Sequence, residues 1–487
     1  MQKIAELKPS EVWAYFSEIL AIPRISKKED QIIAYLIGFA KDQKLTYKQD
    51  QVGNLLISKP ATKGMENRKG IILQSHADMV GEKNAVVKHD FDKDPIQPYQ
   101  EDGWVKARGT TLGADDGIGI AASMAILASN TIEHGPLECL FTIDEESGMT
   151  GALGLQPGFL KGTILLNLDS EDEGEIFIGC AGGTDTIASF KYKTVRAKRN
   201  WMALRIRVNG LQGGHSGDEI HRGFGNSIKI LNRFLWNADQ RFKIRLASIE
   251  GGKARNAIPR EAEAVIMAPE SSLELIKVYF ESFVQIMKGE LDRIEPEFTM
   301  TMVNEEAPEF AMRRKFQRRL FNGLYACPHG VIAMSQAIPG LVETSTNLAS
   351  IRQAGEYRLE IVTSQRSSVE SAKQDIADRM GSLFRLIGAK IRHSGGYPGW
   401  KPDTSSEVLK ISEQVYQDLF KQQPEIKAIH AGLECGLFLQ KYPDLDMISF
   451  GPTIKGAHTP EERIRIDTVD KFWLFLLEML LRAPESK

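Results

Sequence analysis

Four short apolar runs in the first 170 residues of the chain place the strongest constraint on its fold. Each has the length of a β-strand, and a helical pattern over residues 117–128 separates the second run from the third. Strands that alternate with helices predict an α/β class with a mostly parallel central sheet flanked by helices. The runs are residues 54–58, 70–75, 137–143 and 163–168.

The pattern changes after Gly183 and changes again near residue 400. Residues 201–302 have the order of a βαββαβ unit, and further strands and a helix follow it, which indicates a ferredoxin-like unit with a partial second copy. Segment 394–400 is rich in glycine and proline, as domain boundaries often are. We therefore predict one discontinuous domain formed by residues 1–186 and 399–487, with an inserted α+β lid domain at 187–398.

Composition argues against several classes of protein. The 61 Lys+Arg residues nearly balance the 64 Asp+Glu residues, whereas nucleic-acid binders usually carry a basic excess. The four cysteines form no CxxC pair, so we expect neither a disulfide framework nor a cysteine-rich zinc site. The N-terminal residues have no signal-peptide pattern, and no apolar run is long enough to span a bilayer. We expect a cytoplasmic protein with neither a nucleic-acid nor a membrane partner.

Two motifs point to other chemistry but fail in detail. Residues 117–122 match the GxGxxA nucleotide fingerprint, but Asp115 and Asp116 stand directly before it and would repel a pyrophosphate. Four acidic residues between 90 and 101 have calcium-loop spacing, but Pro95 replaces the glycine that this loop requires. We interpret the first segment as a helix and the second as a solvated acidic loop.

Acidic and histidine side chains follow the apolar runs. Ligands of open α/β sheets bind outside the carboxyl ends of the strands, so these side chains are expected to lie close together. Taken singly, each motif could equally be a helix cap or a polar residue at a strand end. The motifs are His76-x-Asp78, Asp115-Asp116, Asp144-Glu145-Glu146, Leu168-Asp169 and Ala457-His458-Thr459-Pro460.

Taken together, the motifs predict a centre for two metal ions. Two histidines and three carboxylates suit zinc or other divalent first-row ions. One bridging carboxylate would give each ion three protein ligands and leave room for a shared water, as a two-metal hydrolase requires. Asp78 could orient His76 through its second ring nitrogen. The proposed ligands are His76, Asp115, Glu146, Asp169 and His458.

The order of these motifs resembles that of the co-catalytic di-zinc metallopeptidases, which include carboxypeptidases, aminoacylases and dipeptidases. Within this family, segments 89–96, 213–217 and 430–434 are similar to the bacterial aminoacyl-histidine dipeptidase branch. The resemblance implies that Asp115 bridges the two ions. It pairs His76 with Asp169 at one ion and Glu146 with His458 at the other.

The resemblance also implies the catalytic roles and the reaction. Asp78 would orient His76, and Glu145 would be the general base and acid. The expected activity is hydrolysis of unblocked dipeptides, including Xaa-His, with two divalent ions, zinc first and cobalt or manganese as alternatives. The expected partner is a small peptide, and a homodimer is left open. The substrate-binding residues implied are His215, Asn256, Arg366 and Gly432.

Two other functions remain open at this point. A deacylase or carboxypeptidase of the same family, acting on N-acyl amino acids, would use the same metal ligands. A non-catalytic binding protein of the same fold would have no use for Glu145, because an acid beside the ligands serves proton transfer.

Overall fold

The computed structural model describes residues 4–198, 200–394 and 396–486, which form two compact units. Unit 1 comprises Met1–Gly179, Pro402–Ala428 and Leu433–Lys487, and unit 2 comprises Cys180–Lys401 and Ile429–Gly432. Gly395, in the predicted boundary segment, and the terminal residues 1–3 and 487 lie outside the described residues. The domain boundaries drawn from the sequence stay a prediction.

Unit 1 contains a sheet of eight strands whose four central strands are parallel. Parallel pairing joins Leu137–Thr142 to Ile71–His76, that strand to Ile164–Asn167, and the latter to Asp446–Ser449. The expected α/β class with a mostly parallel central sheet is confirmed. In sheet order the strands are Thr46–Gln49, Leu55–Lys59, Leu137–Thr142, Ile71–His76, Ile164–Asn167, Asp446–Ser449, Glu175–Cys180 and Glu425–Ile429.

Helices cover the apolar residues of this sheet. Every residue of strands Ile71–His76 and Leu137–Thr142 is buried, as is typical of parallel strands that have helices on both faces. The C-terminal helix buries Val469, Phe472 and Leu476, which lie three or four residues apart on one face. The α-helices of unit 1 are Ser10–Ile19, Asp30–Asp42, Ala114–Ala128, Glu145–Gly148, Thr150–Gly154, Glu407–Phe420, Glu434–Lys441 and Ile466–Leu481, and Ile4–Glu6 is a 3-10 turn.

A second, smaller sheet of unit 1 is antiparallel. Its strand Arg463–Arg465 pairs with Ile454–Lys455 on one side and Trp104–Ala107 on the other, and Pro98–Glu101 completes the sheet. The loop between the first two of these strands carries His458. Among the described residues, no helix is both long enough and apolar enough to cross a membrane.

Unit 2 is built on an antiparallel sheet of nine strands. Its helices bury aromatic residues such as Phe234, Phe283 and Phe384 in one apolar core. In sheet order the strands are Thr299–Glu305, Trp201–Asn209, Ala262–Pro269, Arg245–Gly251, Val342–Gln353, Arg358–Ser367, Gly182–Lys191 and Lys390–His393, with Gly330–Met334 paired to Val342–Gln353. The ferredoxin-like topology and the lid role of this region stay predictions.

The remaining elements of unit 2 are helices and one short ribbon. Thr194–Arg196 pairs with Phe310–Met312 in the ribbon. The α-helices are Ser227–Phe242, Leu273–Leu291, Arg314–Ala326 and Glu370–Leu386, and Ile220–Arg222 and Glu270–Ser272 are 3-10 turns.

Candidate metal centre

The candidate ligands of unit 1 follow three neighbouring parallel strands. Strand Ile71–His76 pairs with Leu137–Thr142 on one side and with Ile164–Asn167 on the other. Their carboxyl ends therefore meet at one edge of the sheet, where open α/β sheets bind ligands. The side chains delivered to this edge are those of His76, Glu145, Glu146 and Asp169.

Two further candidate ligands come from irregular backbone. Asp115 lies in the first turn of helix Ala114–Ala128, where its φ of −80° and ψ of 111° are not helical. His458 lies in the loop after Ile454–Lys455 and has a positive φ of 63°. The φ of His458 lies in the left-handed region, which residues other than glycine adopt uncommonly and which is enriched at functional sites.

Asp115 faces two separate groups of donor atoms. Its Oδ1 lies 2.9 Å from His76 Nε2, and Asp169 Oδ1 lies 3.3 Å from the same nitrogen. Its Oδ2 lies 3.1 Å from His458 Nε2, and Glu146 Oε1 lies 2.9 Å from that nitrogen. Within each group the donor atoms lie within 4.8 Å of one another. One carboxylate thus presents one oxygen to each of two groups, as a bridging ligand must.

Glu145 also reaches the site. Together with His76 and Glu146 it forms a third group of donor atoms within 4.8 Å. Burial raises the pKa of Glu145 to about 8, and the carboxylates of Glu434, Glu146 and Asp115 add to the rise. A carboxyl group placed beside the ligands, and able to hold a proton near neutral pH, can serve as a general base and acid.

The donor set fits divalent metal ions. Burial raises the pKa of both Asp169 and Glu146, because their negative charges are held away from water near other carboxylates. Hydrogen bonds with Asp115 and Glu146 raise the pKa of His458 to about 11. Buried carboxylates that resist ionisation, beside an imidazole that retains its proton, mark a place that needs added positive charge. Imidazole and carboxylate are also donor types that zinc accepts.

Asp78 contacts several residues of this site through its buried carboxylate. It is fully buried, and its Oδ1 lies 3.4 Å from His76 Nδ1, the ring nitrogen that faces away from Asp115. The same carboxylate accepts hydrogen bonds from the backbone N–H groups of Glu145 and Glu146 and from Ser26 Oγ. Burial alone would raise the pKa of Asp78, but these bonds and the contact with His76 lower it to about 2. Asp78 is therefore placed to orient His76 and the two glutamates together.

The four predicted substrate-binding residues lie in unit 2, and two of them are in contact. Arg366 is only 7% exposed, and its Nη2 lies 3.5 Å from His215 Nε2. Its Nη1 donates to Tyr397 Oη at 2.9 Å, and its buried Nε has no hydrogen-bond partner among the described residues. Asn256 is exposed and Gly432 is half-buried, so their roles stay predictions.

The loop that contains His215 passes close to the backbone of His430 at Gly217. A Cβ atom on Gly217 would lie 2.2 Å from the carbonyl oxygen of His430, so only glycine fits without a shift of the backbone. His215 Nδ1 lies 3.0 Å from Asp218 Oδ2. His430 is buried, and its Nε2 lies 2.7 Å from Ser345 Oγ.

Two buried charged residues next to the candidate metal centre were not predicted from the sequence. Arg24 donates to backbone carbonyl groups of Ala77 and Gly113. Glu462 accepts hydrogen bonds from backbone N–H groups of the turn that contains Asp115. Glu462 stands next to Glu461 in the motif of His458, and the sequence offered no means of choosing between the two glutamates.

Comparison with known proteins identifies the family. Residues 72–482 match the family model described as Peptidase family M20/M25/M40. The chain is 44% identical over 487 residues to the cytosol non-specific dipeptidase of Escherichia coli (strain K12), covering 99% of this chain and 100% of the relative.

Solved structures agree with this assignment. The crystal structure of aminoacylhistidine dipeptidase from Vibrio alginolyticus matches with a TM-score of 0.93 and 44% identity, covering 100% of this chain and 99% of the other. Aminopeptidase PepT from Bacillus cereus shares the fold, with a TM-score of 0.56 and 16% identity over 97% of this chain and 98% of the other. The chain therefore belongs to the M20/M25/M40 peptidase family.

Proposed function

We propose that this protein is a dipeptidase that hydrolyses the peptide bond of unblocked dipeptides, including Xaa-His, with two divalent metal ions. Support comes from two relatives that match the whole chain at 44% identity and are named as dipeptidases. The observation that carries the mechanism is the placement of Asp115, which offers one oxygen to each of two donor groups.

The chain's own residues suggest how the ions would be held. His76 and Asp169 would join Asp115 at one ion, and Glu146 and His458 would join it at the other. Bound divalent ions would polarise the peptide carbonyl and lower the pKa of a water between them. Zinc is the first choice for this donor set, with cobalt or manganese as alternatives.

Glu145 would move the proton during hydrolysis. Its carboxylate takes a proton from the attacking water and returns it to the nitrogen of the leaving amine, so that no net proton is consumed at the glutamate. Asp78 would fix the positions of His76 and Glu145 relative to each other, because it contacts the His76 ring and the backbone of Glu145 at the same time.

Arg366 is the best candidate for binding the substrate's free carboxylate. Its guanidinium group is buried and donates to a tyrosine hydroxyl, and its Nε has no hydrogen-bond partner within the part of the chain that the structure describes. A guanidinium group binds a carboxylate through two parallel hydrogen bonds, which favours substrates with a free C-terminus. We assign His215, Asn256 and Gly432 to substrate binding as well, on the strength of the family motifs that contain them.

A panel of dipeptides tests this proposal. Purified protein is stripped of metal, supplied with zinc, cobalt or manganese, and assayed for release of free amino acids. We expect turnover of several dipeptides, Ala-His among them, and little or none of N-acetylated amino acids. Turnover of N-acetylated amino acids in preference to dipeptides would favour the deacylase alternative. No turnover of either class with any metal would refute a catalytic role.

Glu145→Gln tests the proton-transfer role. The amide cannot accept a proton, so kcat should fall by about 10²–10⁴-fold while bound metal remains near the wild-type amount. Glu133→Gln is the control, because Glu133 is exposed on the same unit. Wild-type turnover by Glu145→Gln would remove Glu145 from this role.

The compartment is proposed from the name of one relative, and the assembly is left open. The Escherichia coli relative is named for the cytosol, and we propose the same location and a small-peptide partner here. A homodimer remains open and is tested by light scattering of the purified protein.

A further inference from the structure

The carboxylate of Glu462 accepts hydrogen bonds from four backbone N–H groups of one turn. Its Oε2 accepts from the N–H groups of Leu112 at 2.8 Å and Gly113 at 2.9 Å, and its Oε1 accepts from Ala114 at 2.8 Å and Asp115 at 3.3 Å. Glu462 is only 2% exposed. These N–H groups precede or begin helix Ala114–Ala128, so they have no partner within the helix. A single side chain therefore holds the whole turn that delivers Asp115.

Arg24 holds the same turn through its carbonyl group. Its Nη2 donates to Gly113 O at 2.5 Å, while its Nη1 donates to Ala77 O at 3.1 Å and also to Asp78 O. The guanidinium group is 1% exposed and therefore fixed among these partners. It links the turn of Asp115 to the segment that follows His76.

Gly113 allows this close contact. Its φ of 73° is unfavourable for other residues, and a Cβ atom there would lie 2.8 Å from Met79 Sδ and 2.9 Å from Arg24 Nη2. The N–H groups of the turn thus point to Glu462 and the carbonyl group of Gly113 points to Arg24.

The position of Glu462 in the sequence gives this arrangement a consequence for metal binding. Glu462 lies four residues after His458, and the side chains of His458 and Asp115 belong to the same donor group. The loop that supplies one ligand therefore also anchors the backbone of the other. A shift of Glu462 would move Asp115 relative to His458, and relative to His76 on its other side.

We propose that Glu462 is a positioning residue that sets both oxygens of Asp115 toward their donor groups before metal binds. Arg24 contributes the opposing contact. The proposal rests on the metal centre of the proposed function and adds the element that pre-organises it. Partners that orient metal ligands typically change metal affinity or activity by 10–100-fold when they are replaced.

Glu462→Gln is the first test, with Glu461→Gln as the matched control. Glutamine retains only one acceptor oxygen, so two of the four N–H groups would face an amide NH₂ group. Glu461 is the neighbouring, exposed glutamate, and its variant should bind metal as the wild type does. Zinc affinity is measured on metal-free protein by competition with a coloured chelator, well below the unfolding temperature. We expect Glu462→Gln to bind at least one zinc ion about 10–100-fold more weakly.

Hydrogen exchange of the metal-free wild type is the second test, and it does not depend on whether the variant folds. We expect the amides of residues 112–115 to be protected before zinc is added, because Glu462 already binds them. Protection that appears only with zinc would overturn the proposal. Wild-type zinc affinity in a folded Glu462→Gln variant would overturn it too, even if its melting temperature falls. A wild type that binds no zinc, cobalt or manganese would instead refute the metal centre itself.

Discussion

Replacement of Asp78 by asparagine should weaken both the fold of unit 1 and the catalytic site. Each carboxylate oxygen of Asp78 accepts one backbone N–H group, from Glu145 at 3.0 Å and from Glu146 at 3.2 Å. Asparagine has one acceptor oxygen, so at least one of these N–H groups loses its partner whichever way the amide is turned. An unsatisfied buried donor costs about 1–3 kcal/mol, so the free energy of unfolding should fall by about 2 kcal/mol.

The same change should lower kcat. Asp78 Oδ1 also lies 3.4 Å from His76 Nδ1, and loss of the negative charge weakens the hold on that ring. Loss of an outer carboxylate of this kind typically costs 10–100-fold in activity or metal affinity, which is about 1.4–2.7 kcal/mol. Urea unfolding of the metal-free protein gives the stability, and initial rates at saturating dipeptide and metal give kcat.

Asp92→Asn is the control for this experiment. Asp92 pairs with Lys28 at 2.7 Å, but both side chains are about half exposed, and surface pairs of this kind contribute about 0–1 kcal/mol. Asp92→Asn should retain kcat and nearly all stability. The reasoning would be refuted if Asp78→Asn kept its kcat within about twofold and its unfolding midpoint unchanged, or if both variants lost activity equally.

Two further predictions concern unit 2. Arg366→Lys should reduce kcat/KM for dipeptides by about 10–100-fold, because lysine cannot form the second hydrogen bond to a carboxylate. The reduction in kcat/KM should be smaller for C-terminally amidated peptides, which lack that carboxylate. Arg358→Lys, exposed on the same strand, is its control, and an equal loss for amidated peptides would contradict a carboxylate role. Burial lowers the pKa of His430 from 6.5 to about 3, and the positive charge of Arg366 contributes to the decrease. As pH falls below about 6.5, His430 therefore takes up a proton in the unfolded chain but not in the folded protein, and the free energy of unfolding declines. Between pH 7 and about pH 4.5 the wild type should lose about 2.5 kcal/mol more than His430→Gln, measured by urea unfolding at each pH. Exposed His221→Gln should follow the wild type.

The sequence predicted the central sheet well because its signal is local. Apolar runs at 70–75 and 163–168 correspond to strands Ile71–His76 and Ile164–Asn167 within one or two residues at either end. Buried parallel strands are apolar on both faces, so each appears as a continuous run. The side chains that follow the strands could be grouped because parallel strands end at the same edge.

The contacts that hold the ligands in place could not be predicted in this way. Glu462 meets its four N–H partners across about 350 positions of sequence, and Arg24 meets Gly113 across 89. Neither residue has a spacing that distinguishes it from an ordinary surface charge. Strand Pro98–Glu101 is also hard to recognise, because its residues are half-buried or exposed and it lacks an apolar run. Long-range pairing determines these features, and a single sequence contains no direct record of it.

The interrupted order of the parallel sheet has a consequence for synthesis on the ribosome. Strand Asp446–Ser449 pairs directly with Ile164–Asn167, although 278 residues lie between the end of the earlier strand and the start of the later one. At about 5–20 residues per second, the earlier strand waits roughly 15–55 seconds for this neighbour to be made. During that interval its apolar edge is open to pairing with other chains. Chaperone binding to nascent chains that end before residue 446 should therefore be strongest at this edge, and it should cease once the last hundred residues have emerged.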